Sequence, residues 1–409
     1  MLLKNWAYAL VLVFIIGALT QEPWPVAFAV AAGIVFFVMV SWRRHSLDRV
    51  RYHRCWTYRR GFPGEQLSVK VEVENRKLLP ISWLNAVDLW PLNVAPTDES
   101  ILAPSHLEDS GELVNLYSLR WFQRIERLYQ LTLRRRGVYL IGPVELSSGD
   151  LFGMYETCVQ VESQDRLTVF PELLPLADLL LPTQDPFGDR RTVRQLFEDP
   201  NQPTSIRPYQ PEDSFRRIHW PATARTGSLQ VKIFQPVSAR VLIVCLNAST
   251  RAQFWLGVDS DRLEYLIKIA ATLTYHAVLD GYSVGLLSNG CMAHSDQPFH
   301  IHPSRSTDHL ATLLTALASV TPFTTAPFAN YLAQSVPMIP YGASLLVVTA
   351  LVTPELQASL LHIKRYRANT TLLSIAPKPP APIPGIRIIH LDYPEGNPLQ
   401  GAKRAPVPV

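Results

Sequence analysis

The sequence lacks several of the short motifs that mark common enzyme classes. It has no Gly-x-x-x-x-Gly-Lys-Ser/Thr loop for nucleotide phosphates and no His-Glu-x-x-His helix for zinc. Its 11 histidines lack the spacing of metal ligands, and His300 and His302 are interpreted as a surface pair on one strand face. We therefore expect nucleotide-hydrolase and zinc-peptidase chemistry to be absent, and we do not expect serine-hydrolase chemistry either. A catalytic site assembled from distant parts of the chain would carry no such local mark.

Cysteine is also scarce. The four cysteines, Cys55, Cys158, Cys245 and Cys291, lie far apart and form no Cys-x-x-Cys pair. Such thiols are expected to be reduced and mostly buried, as in cytosolic proteins. The formal net charge of the 409 residues is only +4, and much of the positive charge lies in one run near the amino terminus. The composition therefore indicates no nucleic-acid partner, and we expect no cofactor.

Charged residues are absent from the apolar run 24–42, which follows a shorter apolar run, 6–19. At about 1.5 Å per helical residue, the second run can cross a hydrocarbon core of roughly 30 Å. We therefore predict a two-helix transmembrane hairpin over residues 1–45. A cleaved signal peptide is the alternative for the first run, but a second apolar run that follows at once argues against export of the rest.

Arginine is concentrated directly after the second run. The positive-inside rule places this end of the hairpin, and the bulk of the chain, in the cytoplasm, as in a two-pass protein of the inner (plasma) membrane. We expect these side chains to face anionic headgroups of the lipid bilayer, each contributing about 1 kcal/mol near the surface. The residues concerned are Arg43, Arg44, Arg49, Arg51 and Arg54.

Residues 50–171 have the pattern of an antiparallel β-sandwich. Apolar and polar residues alternate strictly over 66–74, which is typical of a half-buried strand. Proline and glycine separate the candidate strands, and no helical period is found. The further strands are predicted at 81–89, 129–133, 137–141 and 167–170.

Residues 241–395 predict an open α/β sheet. Unbroken apolar strands alternate with helices, which indicates a parallel sheet covered on both faces, with any ligand site at the carboxyl ends of its strands. Residues 172–240 are a linker with an unusual charged segment, and 396–409 form a tail. The strands are predicted at 241–246, 282–287, 344–349 and 370–375, and the helices at 261–280 (ended by Gly281), 309–320 and 354–366.

The charged segment carries the most specific sequence signal. It reads Arg-Pro-Tyr-Gln-Pro-Glu-Asp-Ser-Phe-Arg-Arg-Ile-His-Trp over 207–220, followed by Ala-Arg-Thr-Gly over 224–227 and a strand over 229–234. With Arg-Arg-Gly at 135–137 and Gly-Asp-Leu-Phe-Gly at 149–153, it closely resembles the signature of the domain of unknown function 58 (DUF58) family. Glu212 and Pro221 depart from the family pattern, which has Gly and Lys there.

The resemblance implies an architecture and a class of function. Proteins of this family are typically membrane-anchored, and their last domain resembles a von Willebrand factor A domain. They are commonly encoded beside MoxR-type AAA+ ATPases. The resemblance therefore implies a scaffold or adaptor that works with such an ATPase in envelope or protein-complex assembly. The sequence does not fix the pathway or the oligomeric state.

The signature residues allow two interpretations. Guanidinium groups, carboxylates and aromatic rings can form an exposed surface that binds a partner, since Arg, Tyr and Trp dominate interface hot spots. They can also form an interdomain clamp of ion pairs and stacked rings, which we favour for Arg207, Asp213 and Trp220. His219 is interpreted as a hydrogen-bonded neighbour of Trp220. The full set is Arg207, Tyr209, Asp213, Arg216, Arg217, His219, Trp220 and Arg225.

The resemblance to a von Willebrand factor A domain also implies a metal site, which here is degenerate. In metal-binding domains of this type the first strand ends in Asp-x-Ser-x-Ser, but this chain has Asn247, Ser249 and Arg251 at those positions. No Asp follows the strand at 344–349. Without these carboxylates we predict no bound metal, and Arg251 either replaces the metal charge or points to solvent. The alternative function is a hydrolase or metal-dependent enzyme at this edge, near Asn247, Ser249 and Asp259.

Overall fold

The computed structural model divides the chain into two compact units, Met1–Phe170 and Pro171–Val409. Each unit is described by itself. The structure describes residues 2–20, 23–149, 156–179, 197–210, 213, 215, 218–237, 241–251, 257–293, 295, 297–340, 343–366 and 369–393.

The first unit begins with two helices, α1 (Leu2–Thr20) and α2 (Pro23–His45). They pack closely, because a Cβ atom placed on Gly17 would lie 2.9 Å from Cβ of Pro25. Among the described residues, one helical segment is long and apolar enough to cross a membrane, Pro23–Trp42 of α2. Val11–Thr20 of α1 is a shorter apolar helix. The prediction of an apolar amino-terminal anchor is thus supported by α2.

The described residues of the first unit contain eleven strands after these helices. The sequence predicted β3, β4, β7, β8 and β11, and the strand predicted at 137–141 has the bounds observed for β8. The strands are β1 (Val50–Trp56), β2 (Arg60–Gly61), β3 (Gln66–Asn75), β4 (Ile81–Pro91), β5 (Leu102–Pro104), β6 (Ser110–Leu119), β7 (Arg124–Thr132), β8 (Gly137–Ile141), β9 (Val144–Gly149), β10 (Glu156–Val161) and β11 (Asp165–Val169).

Two antiparallel sheets pack against each other in this unit. One has the strand order β1-β3-β7 and the other β10-β9-β4-β6-β5. Val71 and Val73 of the first sheet share a buried cluster with Leu84 and Leu146 of the second. A third sheet, β2-β11-β8, includes a parallel pair, β2 with β11, so the sandwich is not wholly antiparallel. The face-to-face packing explains the alternation of apolar residues along β3.

The arginines after α2 do not all behave as expected. Arg44 and Arg49 are exposed, and Arg51 is exposed on β1. Arg54, in contrast, is buried, with its guanidinium bonded to Asp88 of β4. The expectation that Arg54 faces lipid is therefore wrong, because its guanidinium binds Asp88 of the other sheet inside the sandwich.

The second unit contains a two-stranded ribbon and an α/β sheet. Short 3₁₀ turns lie at Leu176–Leu179 and Val336–Met338. The elements are β12 (Phe197–Pro208), α3 (Trp220–Thr226), β13 (Gln230–Val237), β14 (Val241–Leu246), α4 (Ser260–Leu279), β15 (Ser283–Ser288), β16 (Gly290–Met292), β17 (Phe299–Ser304), α5 (His309–Ala318), β18 (Val320–Thr324), α6 (Phe328–Ser335), β19 (Ser344–Thr349), α7 (Pro354–Tyr366), β20 (Asn369–Ser374) and β21 (Arg387–His390).

The α/β sheet has six strands in the order β17-β15-β14-β19-β20-β21. All neighbours are parallel except β15 and β17, which are antiparallel. Ile243 and Cys245 of β14 pack with Leu332 of α6 and Leu360 of α7, while α4 contacts β14, β15 and β19. The sheet agrees with the predicted covered α/β sheet except at β17, which is antiparallel. Strand β14 ends at Leu246, directly before Asn247, where the second candidate site lies.

Candidate functional site

The signature segment is held together by an ion pair between Arg207 and Asp213. Arg207 Nη1 donates to Asp213 Oδ2 at 2.7 Å, and Nη2 donates to Oδ1 at 2.6 Å. Two parallel bonds of this kind fix the orientation of both side chains. The backbone adds two more bonds, from the Gln210 amide to Asp213 Oδ2 and from the Asp213 amide to the Gln210 carbonyl, each at 2.9 Å. The pair therefore joins two residues of the second unit that are six positions apart in the sequence.

Aromatic side chains project from this loop and from the helix after it. The rings of Tyr209 and Phe215 stack, with centroids 5.7 Å apart and planes 29° apart. Phe215 is 71% exposed and Trp220 is 66% exposed. Large aromatic rings with this much exposure near a fixed loop are typical of contact surfaces. We call Tyr209, Phe215 and Trp220 the aromatic surface.

The segment is anchored on strand β13. The Tyr209 amide donates to the Leu229 carbonyl at 2.9 Å, and the His219 amide donates to the Gln230 carbonyl at 2.8 Å. Between these contacts, Ile218 forms an isolated bridge with Val231, and both side chains are buried. The segment is thus attached on both sides of Phe215.

Helix α3 is capped at both ends. His219 Nδ1 accepts a hydrogen bond from the Ala222 amide at 3.0 Å, so His219 caps the helix. Pro221 lies in the first turn, where the missing N–H is not needed for the helix. Gly227 ends the helix with φ of +69°, a conformation that favours glycine. Arg225 is exposed in the last turn.

Some predicted residues lie outside the described part of the chain. Arg216, Arg217 and Glu212 are among them, so their proposed contacts stay predictions. Of the eight signature residues, the structure brings Arg207 and Asp213 into direct contact and places Tyr209 beside Phe215, a residue that was not in the predicted set. Phe215 lies within the motif itself. A large apolar side chain in this charged segment could have indicated an exposed contact residue.

A second polar cluster lies at the carboxyl end of β14. Asn247 is buried; its Nδ2 donates to Thr349 Oγ1 at 2.9 Å, and its Oδ1 accepts from the Ser249 amide at 3.0 Å. Asn289, which follows β15, accepts from the Ala248 amide at 2.9 Å and donates to Ser249 Oγ at 3.0 Å. Polar residues at the ends of three parallel strands thus bind one another. Asn289 and Thr349 were missed, although each stands at the end of an apolar strand.

This cluster does not fit a divalent metal. Its members are neutral, and their oxygen and nitrogen atoms already bond to each other, whereas a hard cation prefers anionic oxygens. Asp259, the first acid after Asn247 in the sequence, caps α4 by accepting from the amides of Asp261 and Arg262 at 3.2 and 3.3 Å. Across the part of the chain that the structure describes, no group of three or more His, Cys, Asp or Glu side chains could hold a metal ion. Arg251 is exposed.

Two further features bear on enzyme chemistry. Residues 281–285 read Gly-Tyr-Ser-Val-Gly, which matches the Gly-x-Ser-x-Gly pattern of serine hydrolases. Ser283 begins β15 after a helix and accepts from Arg305 Nε at 2.9 Å, so it does not occupy the strand-to-helix turn that such a nucleophile needs.

Burial raises the pKa of the Cys245 thiol to about 12. This thiol is therefore not a thiolate at neutral pH.

The paired histidines lie as the sequence predicts. His300 and His302 share one face of β17, with ring centroids 4.5 Å apart. Burial, and then the neighbouring His302, lowers the pKa of His300. His300 is therefore more readily neutral than an ordinary histidine.

Comparison with known proteins matches the carboxy-terminal half of the chain. Residues 205–399 match the model of a family described as "Protein of unknown function DUF58". The "Uncharacterized protein YeaD" of Bacillus subtilis (strain 168) is 22% identical over 228 residues, which cover 56% of this chain and 52% of that protein. The chain therefore spans about half the length of this curated relative.

Similarity to solved structures is weak. The sporulation control protein Spo0M from Bacillus subtilis is 16% identical, with a TM-score of 0.20, over 32% of this chain and 54% of that chain. AvmM, described as catalysing macrocyclization in alchivemycin A biosynthesis, is 12% identical, with a TM-score of 0.22, over 31% of this chain and 93% of that chain. Neither likeness carries an argument. The family match covers the signature segment and the α/β sheet, and the resemblance to the DUF58 family is thus confirmed over these residues.

Proposed function

We propose that this protein is a membrane-anchored cytoplasmic scaffold or adaptor that works with a MoxR-type AAA+ ATPase in envelope or protein-complex assembly. One observation carries the proposal: Phe215 and Trp220 are largely exposed close in sequence to the Arg207–Asp213 pair, whose two hydrogen bonds restrain this segment. A preorganised loop loses less conformational entropy when it binds. Exposed aromatic rings then supply the buried area that dominates interface energies.

The anchor in this proposal is a two-pass hairpin with both ends in the cytoplasm of the inner membrane. Its support is the apolar length of α2 and the exposed arginines that follow, Arg44 and Arg49. A membrane-impermeant maleimide tests this topology on Cys158, which is exposed. Labelling only after permeabilisation supports a cytoplasmic unit, and labelling in intact cells contradicts it. A cysteine introduced at Gln21, in the predicted outer turn, should show the opposite behaviour.

We also infer that the α/β sheet is a von Willebrand factor A-like domain that has lost its metal site. The parallel strands and covering helices support this assignment, as does the polar cluster of Asn247, Ser249 and Asn289 at the expected edge. The alternative, a hydrolase or metal-dependent enzyme at that edge, is less well supported. It would need a titratable base or an anionic ligand there, and the hydrogen-bonding groups of the cluster are neutral.

The test of the adaptor is cross-linking in native membranes followed by mass spectrometry. Wild type is compared with Phe215→Ala and Trp220→Ala, and with Phe323→Ala as a matched control, since Phe323 is a similarly exposed aromatic residue on β18. We expect an AAA+ ATPase to be recovered with wild type and the control, and to be lost with the other two. All variants should unfold within about 0.5 kcal/mol of wild type. Equal recovery with every variant, or no partner under efficient cross-linking, contradicts the proposal.

A further inference from the structure

Three segments of the first unit meet at the end of α2. They are the chain that leaves the helix (46–49), the turn between β3 and β4 (76–80) and the turn between β6 and β7 (120–123). The Arg76 amide donates to the Arg49 carbonyl at 3.1 Å, and the Phe122 amide donates to the Lys77 carbonyl at 3.3 Å. Asn75 Nδ2 binds the carbonyls of Leu79 and Arg120. We call these segments the helix-proximal edge.

Lys77 fixes this edge to the helix. Its ammonium group donates to the His45 carbonyl at 2.5 Å and also to the Ser46 carbonyl. These carbonyls belong to the last turn of α2 and to the residue after it, where no amide of the helix is available to bind them. A cation at a helix carboxyl end also interacts favourably with the helix dipole. The two turns are therefore held beside the point where α2 ends.

Large apolar side chains are exposed on both turns. Leu78 is 75% exposed, Trp121 65% and Phe122 64%. Phe122 also adopts a φ of +49°, a conformation that is uncommon for a bulky residue and that costs energy unless its surroundings require it. Three such side chains on adjoining turns form a patch of the kind that marks a protein or membrane contact.

Charge and shape favour a membrane as the contact. The three segments carry four cations, Arg49, Arg76, Lys77 and Arg120, and one acid, Asp48; Arg76 also pairs with Glu74 of β3. A cleft of about 650 Å³ lies between the end of α2 and these segments, and its walls are mainly apolar. They include Phe37, Val38 and Trp42 of α2 together with Leu79. The polar lining consists of Ser41, His45, Asp48, Arg49 and Lys77, and Asp48 pairs with His45 at 2.7 Å. An apolar wall that continues from a membrane helix and ends in polar groups that include Arg49 and Lys77 matches an anionic phospholipid, with its tail along the apolar wall and its phosphate at these two cations.

We propose that the helix-proximal edge is a second membrane-contact surface, at which Leu78, Trp121 and Phe122 enter the bilayer interface and the arginines bind anionic headgroups. This proposal rests on the membrane anchor in the proposed function, but not on the adaptor role. Tryptophan and phenylalanine favour the interface, and each arginine near an anionic surface contributes favourably. The contact would hold the sandwich against the membrane. Without it, the sandwich would be joined to the membrane only through α2.

The experiment measures lipid contact at single positions of the full-length protein in nanodiscs. Cys158 is replaced by serine, and a fluorophore is attached to a cysteine at Trp121 or, independently, at Leu78. Tyr58→Cys is the matched control, because Tyr58 is as exposed as Trp121 and follows the far end of β1, about 20 Å from Val50. Val35→Cys, on α2, reports the anchor. Lipids with a nitroxide quencher near the headgroup, or in the acyl chain for Val35, quench probes in contact with the bilayer.

We expect quenching at positions 121 and 78 to exceed that at 58 several-fold in discs that contain phosphatidylglycerol, and to weaken in pure phosphatidylcholine. Quenching at both positions no greater than at 58, with position 35 quenched, overturns the second contact and leaves the anchor intact. Absence of quenching at 35 overturns the anchor and this proposal together. Strong quenching at 121 and 78 that is the same in both lipids overturns the role of the arginines.

Discussion

Arg54 and Asp88 form an ion pair with no exposed side-chain surface. Arg54 Nε and Nη2 donate to the two carboxylate oxygens of Asp88 at 2.8 and 2.6 Å. Arg54 Nη1 donates to the Ser163 carbonyl and to Asp165, each at 3.0 Å, and the Tyr52 hydroxyl donates to Asp88 at 2.8 Å. Burial of two charges is tolerated because both are paired and hydrogen-bonded. The pair joins β1 to β4, and so joins the two sheets of the sandwich.

Breaking this pair should destabilise the first unit strongly. Arg54→Met leaves Asp88 as a buried charge without its counter-ion, and we expect the free energy of unfolding to fall by about 3–5 kcal/mol. Denaturant unfolding of the full-length protein in detergent, followed by a probe in the sandwich, measures this. Arg51→Met is the matched control, because Arg51 lies on the same strand but is exposed. A change within about 0.5 kcal/mol in both variants would contradict the structural role of Arg54.

Stability in acid should depend on Glu72. A hydrogen bond from Lys70, followed by one from Arg124, lowers the pKa of Glu72 from 4.5 to about 2; the Lys70 Nζ to Glu72 Oε1 distance is 2.9 Å. The folded carboxylate holds a proton less tightly than the unfolded one. Its stabilisation is therefore fully present above pH 4.5 and is lost as the pH falls towards 2.

Urea titrations between these pH values test this dependence. We expect the midpoint to fall more steeply with decreasing pH in wild type than in Glu72→Gln, and the difference to shrink with added salt, since Lys70 and Arg124 are partly exposed. Glu156→Gln, on the exposed end of β10, should behave as wild type. Identical slopes in wild type and Glu72→Gln would show that the ion pairs do not persist in solution.

Local pattern predicted the longer helices and the strands with the clearest periodicity, and it missed many of the other strands. The bounds of β8, β14, β19 and α7 agree with the sequence, because covered parallel strands are continuously apolar and helix α7 begins at a proline. The burial of Arg54 could not be predicted, because its partner lies 34 residues away and the run of arginines suggested a surface. Strands β17 and β21 were missed, since edge strands are less apolar and carry the weaker signal.

The candidate site was predicted in part. The Arg207–Asp213 contact joins residues six apart, so a tight turn was enough to bring them together. The neutral cluster around Asn247 depends on the register of β14 with β15 and β19, which no local pattern gives. The exposure of Trp220 was not predicted either, because an aromatic residue in a charged motif can either stack on a neighbouring side chain or extend into solvent.

Removing the Arg207 guanidinium should loosen the loop more than it destabilises the protein. The pair is partly exposed, so we expect Arg207→Ala to cost no more than about 1 kcal/mol. Amide exchange over residues 207–213 should become faster, because the carboxylate that binds the Gln210 amide is no longer held in place. Arg225→Ala, an exposed arginine on α3, is the control. Unchanged exchange in Arg207→Ala would contradict the role of the pair.

Arg207→Lys sharpens this test, because a lysine keeps the charge but cannot make two parallel hydrogen bonds. If the loop must be held for partner binding, cross-linking should weaken in Arg207→Lys although Phe215 and Trp220 are intact. Full cross-linking with fast exchange would mean that the aromatic surface binds without a fixed loop.

Mg²⁺ should not bind at the carboxyl end of β14. Asn247 Oδ1 and Nδ2 are both engaged, with the Ser249 amide and with Thr349 Oγ1, so a cation would have to displace hydrogen bonds and would gain no anionic ligand. We expect calorimetric titration of the wild-type protein to show no sub-millimolar affinity. Sub-millimolar binding that is lost in Asn247→Ala would contradict this prediction.

The variant Asn247→Asp tests whether this edge has the geometry of a metal site and lacks only the negative charge of a carboxylate. Thr349 Oγ1 donates to the Leu351 carbonyl at 2.7 Å, so an aspartate would face an oxygen with no proton to offer. We expect the variant to lose about 1–3 kcal/mol of unfolding free energy. If added Mg²⁺ restores that stability progressively, with the logarithmic dependence on concentration expected of a ligand that binds the folded state, the edge retains the geometry of a metal site and lacks only the carboxylate. If Mg²⁺ has no effect, the neutral hydrogen-bond network has replaced the metal site. The cluster then has a structural role, because it links the carboxyl ends of β14, β15 and β19.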